Sequence, residues 1–302
     1  MTYQAPQFSF DYEFEYGVVS TVAPGIRRVV ARNPSAFTFQ GTGTYIVGEG
    51  EVAVIDAGPR IEAHVDAILA ALPGETVTHI LVTHTHTDHS PASALLKERT
   101  GAVTYGFGPH GAGRYLRGNA VEEGADWDFT PDVAVSHGQI IEGDNWSFEC
   151  VHTPGHTSNH VCYQYRENRA LFSGDHVMGW STTIVAPPDG DMTQYLVSLE
   201  GMLLRDDVIY WPTHGPCIEP PAAYVRSLIE HRIERQKQIL ECLHRGIHTI
   251  NDMVGGMYPH LDQSMHGAAA IQILSAMVHL HGQGQVGCDG EPSLDASYFI
   301  LK

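Results

Sequence analysis

The chain has no long apolar run: no stretch approaches the ~20 residues that a membrane-spanning helix needs, and no span is expected. Its N-terminus, MTYQAPQFSFDYEFEYG, lacks both the basic segment and the apolar core of a secretory signal, so a cytoplasmic protein is expected. Cysteine is sparse. Cys150, Cys162, Cys217, Cys242 and Cys288 are odd in number, widely spaced and form no C-x-x-C pair, which argues against a disulfide framework or a thiolate zinc site. Positive charge is scarce as well: 17 Lys and Arg against 35 Asp and Glu leave a formal net charge of −18. Without a general basic surface to grip a phosphate backbone, tight non-specific nucleic-acid binding is not expected. Arg226, Arg232, Arg235 and Lys237 do cluster, but Glu230 and Glu234 interleave them, which reads as a solvated helix face. A hydrophobic content of 43% in 302 residues is enough for one sizeable domain and a small one.

Histidine is plentiful, and its placement is informative. Thr83-His84-Thr85-His86-Thr87-Asp88-His89-Ser90 follows the apolar run Ile80-Leu81-Val82, which reads as a buried strand. If that strand continues through His86, the i, i+2 spacing puts His84 and His86 on one face. The chain then turns, so that Asp88 and His89 approach from another side and one short loop can serve two adjacent metals. Three later motifs each follow a short apolar strand and set a ligand-type side chain beside glycine, which permits a tight strand-to-loop turn. They are Thr153-Pro154-Gly155-His156-Thr157, Ser173-Gly174-Asp175 and Pro212-Thr213-His214-Gly215-Pro216. His160, His176, Trp180, Ser181 and Thr182 lie close in sequence to these ligands and are candidates for substrate contact. His248, His260, His266, His279 and His281 fall near the C-terminus and do not suggest a second metal site.

Strand-like runs at 44–47 and 52–55 flank Gly48-Glu49-Gly50, a hairpin signal, and the second ends in Asp56-Ala57-Gly58. A helix is predicted over 60–72, stopped by Pro73-Gly74, and another from Ser90 as N-cap and Pro91 as first residue to about Lys97. Strands are predicted at 103–107, 147–151, 161–165, 170–173 and 208–210, with a helix at 192–204. Residues 108–131 are Gly-rich, polar and aperiodic, and read as a flap on the substrate side. Strands alternating with helices give an α/β class with two sheets meeting at one site. Residues 1–219 are expected to form the catalytic domain. Residues 220–302 hold a long helix at 220–245, short helices at 251–257 and 267–280, a Gly-rich turn and a strand at 297–301. That order outlines a small, mostly helical, winged-helix-like module, which the acidic balance assigns to capping the catalytic domain or a partner copy in a homodimer rather than to DNA.

With these motifs in order from Asp56 to His214, the chain resembles the metallo-β-lactamase-fold hydrolase superfamily, and within it the β-lactamase-like protein 2 group. The residues that carry the closer likeness are Gly41-Thr42-Gly43-Thr44-Tyr45, the 153–157 motif with His160 after it, and Ser173-Gly174-Asp175 with Thr182-Thr183 downstream. It covers roughly residues 33–240, and it departs at Gly43, where the group usually has Asn. The resemblance implies an αβ/βα sandwich with the site at one edge of the two sheets. It implies that His84, His86 and His156 hold a first metal, that Asp88, His89 and His214 hold a second, and that Asp175 bridges them. Asp56 is expected to orient the ligand loop by hydrogen bonds.

Such a site implies a hydroxide bridging two divalent ions, zinc by ligand type with manganese or iron compatible, that attacks a polarised carbonyl or phosphoryl centre. Asp88 and Asp175 would be the catalytic carboxylates, Asp88 orienting the nucleophile. The expected substrate is a small molecule or short oligonucleotide with an ester-type bond: thioester, lactone, carboxylester or phosphodiester. A β-lactam is disfavoured, because zinc β-lactamases generally lack the bridging aspartate. An endoribonuclease acting on single-stranded RNA is the alternative that the closest group suggests. A mononuclear-iron persulfide dioxygenase is the alternative of another class, disfavoured by the retention of Asp88, His89 and His214.

Overall fold

Short apolar runs ending in polar, glycine-containing loops build two mixed sheets packed face to face. The computed structural model describes residue 3, residues 5–112 and residues 124–301. The first sheet holds β1 (Ser20–Ala23), β2 (Ile26–Val30), β3 (Gly43–Val47), β4 (Glu51–Ile55), β5 (Thr76–Leu81), β6 (Val103–Gly106) and β7 (Val133–Ala134), in that spatial order. Helices α1 (Glu62–Ala70) and α2 (Ala92–Thr100) connect β4 to β5 and β5 to β6, and these strands run parallel, as such crossovers require. The second sheet runs β12-β11-β10-β9-β8, from β8 (Ile140–Glu142), β9 (Ser147–His152), β10 (Val161–Tyr165), β11 (Ala170–Gly174) and β12 (Ile209–Pro212). Helix α3 (Met192–Met202) joins β11 to its parallel neighbour β12.

Strands β10 and β11 are buried at every position because each is covered on both faces. Between the sheets, Tyr45, Ile55 and Leu81 of one meet Phe148, Tyr163, Phe172 and Trp211 of the other. Outside the first sheet, Val65 and Ile68 of α1 and Leu96 of α2 close a second core. Outside the second, Tyr195 and Leu199 of α3 pack with Val225 and Leu228 of the long α4 (Pro221–His244). The result is the expected αβ/βα sandwich.

The other end of α4 belongs elsewhere. Ile239, Cys242 and Leu243 pack with α5 (Ile250–Met257) and α6 (His266–Gly282). The hairpin β13 (Val286–Cys288) and β14 (Tyr298–Ile300) completes this mostly helical C-terminal region; its second strand is the anticipated terminal one, and its first lies where a Gly-rich turn is expected. At ~1.5 Å per residue the 24 residues of α4 run ~36 Å, so one helix carries part of two cores. No helix among the described residues is long and apolar enough to cross a membrane.

Three local expectations need correction. Strand β5 ends at Leu81 and does not run on through His86, which instead bridges Ala125. Helix α2 starts at Ala92, and Ser90 gives it no side-chain cap, because its Oγ donates to Asp126 Oδ2 at 2.5 Å. Of the loop at 108–131, residues 113–123 lie outside the described residues, and residues 124–126 pin the ligand loop through Thr87 N to Gly124 O and Asp126 N to Thr85 O.

Candidate metal centre

The ligand-type residues sit on loops leaving one end of both sheets. His84, His86, Asp88 and His89 follow β5, His156 follows β9, Asp175 follows β11 and His214 follows β12. Close turns bring them in. Gly155 has φ +146°, and a Cβ there would lie 2.4 Å from Tyr195 Cα. Gly174 has φ +52°, and a Cβ would meet His160 Nε2 at 2.6 Å. Both positions demand glycine for space as well as for backbone angle.

All seven predicted ligands converge. His84 Nε2 and His156 Nε2 each stand 3.0 Å from His86 Nδ1, forming one triad. In the other, Asp88 Oδ2 lies 3.0 Å from His214 Nε2 and 3.4 Å from His89 Nε2. Asp175 lies between them: Oδ1 is 3.5 Å from His214 Nε2, while Oδ2 is 3.5 Å from His89 Nε2 and 3.9 Å from His156 Nε2. His89 Nε2, His214 Nε2 and Asp175 Oδ1 are buried with no hydrogen-bond partner in the protein. Buried ligand-type atoms aimed at one space, without partners of their own, fit divalent cations.

The far side of three of the five rings is held in a way that turns the ligand nitrogen inward. His89 Nδ1 donates to Asp56 Oδ2 at 2.9 Å, His156 Nδ1 to the Ile184 carbonyl at 2.5 Å and His214 Nδ1 to the Gly41 carbonyl at 3.2 Å. Each bond fixes the tautomer that leaves the Nε2 lone pair facing the site. Asp56, fully buried at φ +49°, is the hub: Oδ1 accepts from Thr83 N, and Oδ2 from Thr83 Oγ1 at 2.7 Å and Thr213 Oγ1 at 2.9 Å. It thereby ties the residues before His84 and His214 to His89. Thr83, Thr213 and the carbonyls of Gly41 and Ile184 were not singled out from sequence. The Thr-His pairs at strand ends carried a signal for the first two; a backbone carbonyl carries none.

The electrostatics differ between the triads. Burial, with His89, His86 and His156 beside it, holds His84 well below the usual imidazole range, and burial brings His156 down to about 4. Burial opposes charge on His89 and His214 too, but Asp88, Asp175 and Asp56 raise His89 well above that range, and Asp175 with Asp88 raises His214 to about 10. Burial likewise pushes Asp88 and Asp175 up, yet His89 and His214 hold both well below the carboxylate range. His84 and His156 are therefore held neutral, whereas the other triad joins imidazoles to anionic oxygens.

The five substrate-side candidates divide. His160 is fully buried behind the ligands, stacked 5.1 Å from the His84 ring, with Nε2 accepting from Asp175 N and Nδ1 against Thr153 Oγ1. His176 is also in the interior, 4.9 Å from the Tyr195 ring. Both rings are fully buried, which departs from the substrate contact that nearness in sequence suggests. Trp180, Ser181 and Thr182 are partly exposed, and the indole stacks on Phe39 at 5.0 Å beside Gly215. Gly43, the departure from the resembling group, donates its N–H to the Thr213 carbonyl at 2.8 Å, and a Cβ there would press on that oxygen and on Arg28 at 3.2 Å.

Comparison with known proteins agrees with this geometry. The lactamase-like protein adaB of Aspergillus niger is 30% identical over 295 residues, covering 91% of this chain and 86% of that protein. The atrochrysone carboxyl ACP thioesterase dmxR1 of Cryptosporiopsis sp. is 26% identical, over 92% of this chain and 78% of its own. The crystal structure of a β-lactamase domain protein from Burkholderia ambifaria superposes with a TM-score of 0.78 at 20% identity, covering 98% of this chain and 97% of that one. A sequence model of the metallo-β-lactamase superfamily matches residues 37–214, more than half of the chain and every ligand candidate in it. The chain belongs to the metallo-β-lactamase superfamily and is a metallo-β-lactamase-like hydrolase.

Proposed function

We propose that the protein is a binuclear metallo-hydrolase of small acyl thioesters or esters. The observation that carries this reading is the placement of Asp175, with one carboxylate oxygen turned to His214 and the other to His89 and His156. A carboxylate so placed could be shared by two ions, one held at each triad. His84, His86 and His156 would hold one ion, Asp88, His89 and His214 the other, and the donor set suits zinc, with manganese or iron compatible. Such ions, when bound, supply Lewis-acid polarisation of the acyl carbonyl and a water acidic enough to act as nucleophile near pH 7.

The chain's own residues position and aim. Asp56 and its threonines fix both ligand loops. Asp88, partly exposed and kept ionised by His89 and His214, accepts a hydrogen bond from the attacking water and so orients it. Trp180, stacked on Phe39, lies against Gly215, the residue after the ligand candidate His214. A thioester is favoured by the relative named an ACP thioesterase, and a phosphate polymer is disfavoured by the net charge of −18.

The metal-reconstituted protein should be screened on acyl thioesters, carboxylesters, lactones, phosphodiesters, single-stranded RNA and β-lactams. Thioester turnover well above the others is expected. RNA cleavage without thioester turnover would transfer the protein to the endoribonuclease reading, and oxygen consumption on a persulfide by a one-iron form would sink the hydrolase.

A further inference from the structure

Arg232 departs from the basic cluster to which it belongs in sequence. Arg226 and Lys237 are exposed on α4, as a solvated face requires, and Arg235 is half-buried, but Arg232 is only 5% exposed. Both of its hydrogen-bond acceptors are neutral. Nη1 donates to Gln272 Oε1 of α6 at 2.8 Å and Nη2 donates to the Thr183 carbonyl, while the guanidinium lies over the Tyr195 ring at 5.3 Å from its centre. A buried cation with neutral acceptors is a costly way to fill space, since an apolar side chain of similar length gives up no hydration of charge. That cost points to a positional task.

Thr183 and Ile184 show what is being positioned. Thr183, itself buried, sets Oγ1 2.7 Å from the Asp175 carbonyl and 2.9 Å from the His176 carbonyl, and donates to both. One residue on, the Ile184 carbonyl accepts from His156 Nδ1. Two adjacent residues thus brace two ligand candidates, Asp175 through its main chain and His156 through its ring. They lie in the irregular stretch between β11 and α3, where no helix or strand supplies a ladder of backbone bonds. Arg232 supplies the fixed point from α4. Tyr195, beneath it, packs against Gly155, the residue before His156, and donates its hydroxyl to the His176 carbonyl at 3.1 Å.

We infer that Arg232 is a positioning residue of the metal centre, holding the Thr183–Ile184 backbone where it keeps His156 and Asp175 turned to the ions. This role rests on the metal-centre reading above, whatever the substrate. It adds a dependence on residues beyond the 37–214 matched by the superfamily model, since Arg232 and Gln272 both lie outside that range. The ion at the His84, His86 and His156 triad should feel it most, because His89 and His214 take their Nδ1 support from Asp56 and Gly41 instead.

Three chains test it: the unsubstituted protein, Arg232→Met, which keeps length and removes the donors, and Arg232→Lys, which keeps one donor for the Thr183 carbonyl. Each is freed of metal and titrated with cobalt(II), whose visible d–d absorption reports the geometry of its ligands. Urea melts of the same metal-free chains read stability. Arg232→Met should weaken one cobalt-binding step about tenfold and alter its absorption band, with the other step changed less than about twofold, and Arg232→Lys should recover about threefold of the loss. A lowered urea midpoint with affinity and band unchanged overturns the positioning role, and so does an equal loss in both variants, which would tie the effect to packing rather than to the donated bond. If Arg232→Met does not fold, Gln272→Met takes its place, because losing the Gln272 oxygen releases the guanidinium without emptying its site; a loss of about threefold is then expected, and unchanged binding overturns the role. An unsubstituted chain that binds no cobalt ends the metallo-hydrolase reading and this role with it, whereas cobalt bound equally by every chain ends only the role of Arg232.

Discussion

Asp56 shows how much of a metal site can depend on a residue that binds no metal. One buried carboxylate accepts from Thr83, Thr213 and His89, so both triads take their orientation from it. Asp56→Asn keeps the shape but offers NH2 to groups that are themselves donors, and metal affinity should fall about 10- to 100-fold in a chelator competition. His64, which donates from Nε2 to Thr44 Oγ1 at 2.8 Å, titrates far from its ordinary value of 6.5: burial brings it down to about 4. Between those values the unfolded chain binds a proton that the folded chain refuses. Stability therefore rises with pH across that window, and falls by about 3 kcal/mol in all as pH drops through it. In denaturant melts from pH 7 to 4, His64→Gln should show a pH slope shallower by up to one proton; an unaltered slope would mean that His64 is already charged. Asp56 was legible from sequence because it stands in an Asp-x-Gly turn before the histidine cluster. The buried role of His160 and His176 was not, since nearness to a ligand in sequence does not say whether a ring lies above or below it.

At the level of elements, legibility followed coverage. Strands β10 and β11, wrapped on both faces, are mostly apolar, broken only by Gln164 and by Ser173 before the glycine turn. Strand β2 is obscured in sequence because Arg27 and Arg28 interrupt the pattern, although Arg27 pairs with Glu75 at 2.5 Å and Arg28 is buried with its guanidinium 4.4 Å from the Tyr12 ring. Strand β13 was hidden in a Gly-rich turn, and its pairing with β14 is set by tertiary contact. The extension of β5 through His86 failed because Thr83 is drawn to Asp56 and its carbonyl accepts from Val161 N of the other sheet. Helix α4 makes the expected division at 219/220 a boundary in sequence that packing bridges, since Val225 and Ile239 sit in different cores on one rigid rod. Ile239→Ala should cost about 2–5 kcal/mol and lower the midpoint of a single cooperative urea transition. Separate unfolding of the C-terminal region would contradict that coupling.

Across the whole molecule, the site exists only where the two sheets meet. The first sheet contributes His84 to His89, the second contributes His156, Asp175 and His214, and neither half holds a complete triad together with the shared carboxylate. Ions bound there favour only the folded chain, so stripping them should lower its stability by RT ln(1 + [L]/Kd), about 2.7 kcal/mol for metal present at ~100 times its Kd. A melting temperature unmoved by a chelator would place the metals elsewhere or nowhere. The central claim is that Asp175 joins two ions into one centre, and metal analysis of the purified, reconstituted chain beside Asp175→Ala tests it most directly. The account predicts two divalent ions per unsubstituted chain, fewer than two with hydrolysis abolished in the variant, and a variant that remains folded. One iron per chain, or a variant that keeps two ions and full activity, would contradict it.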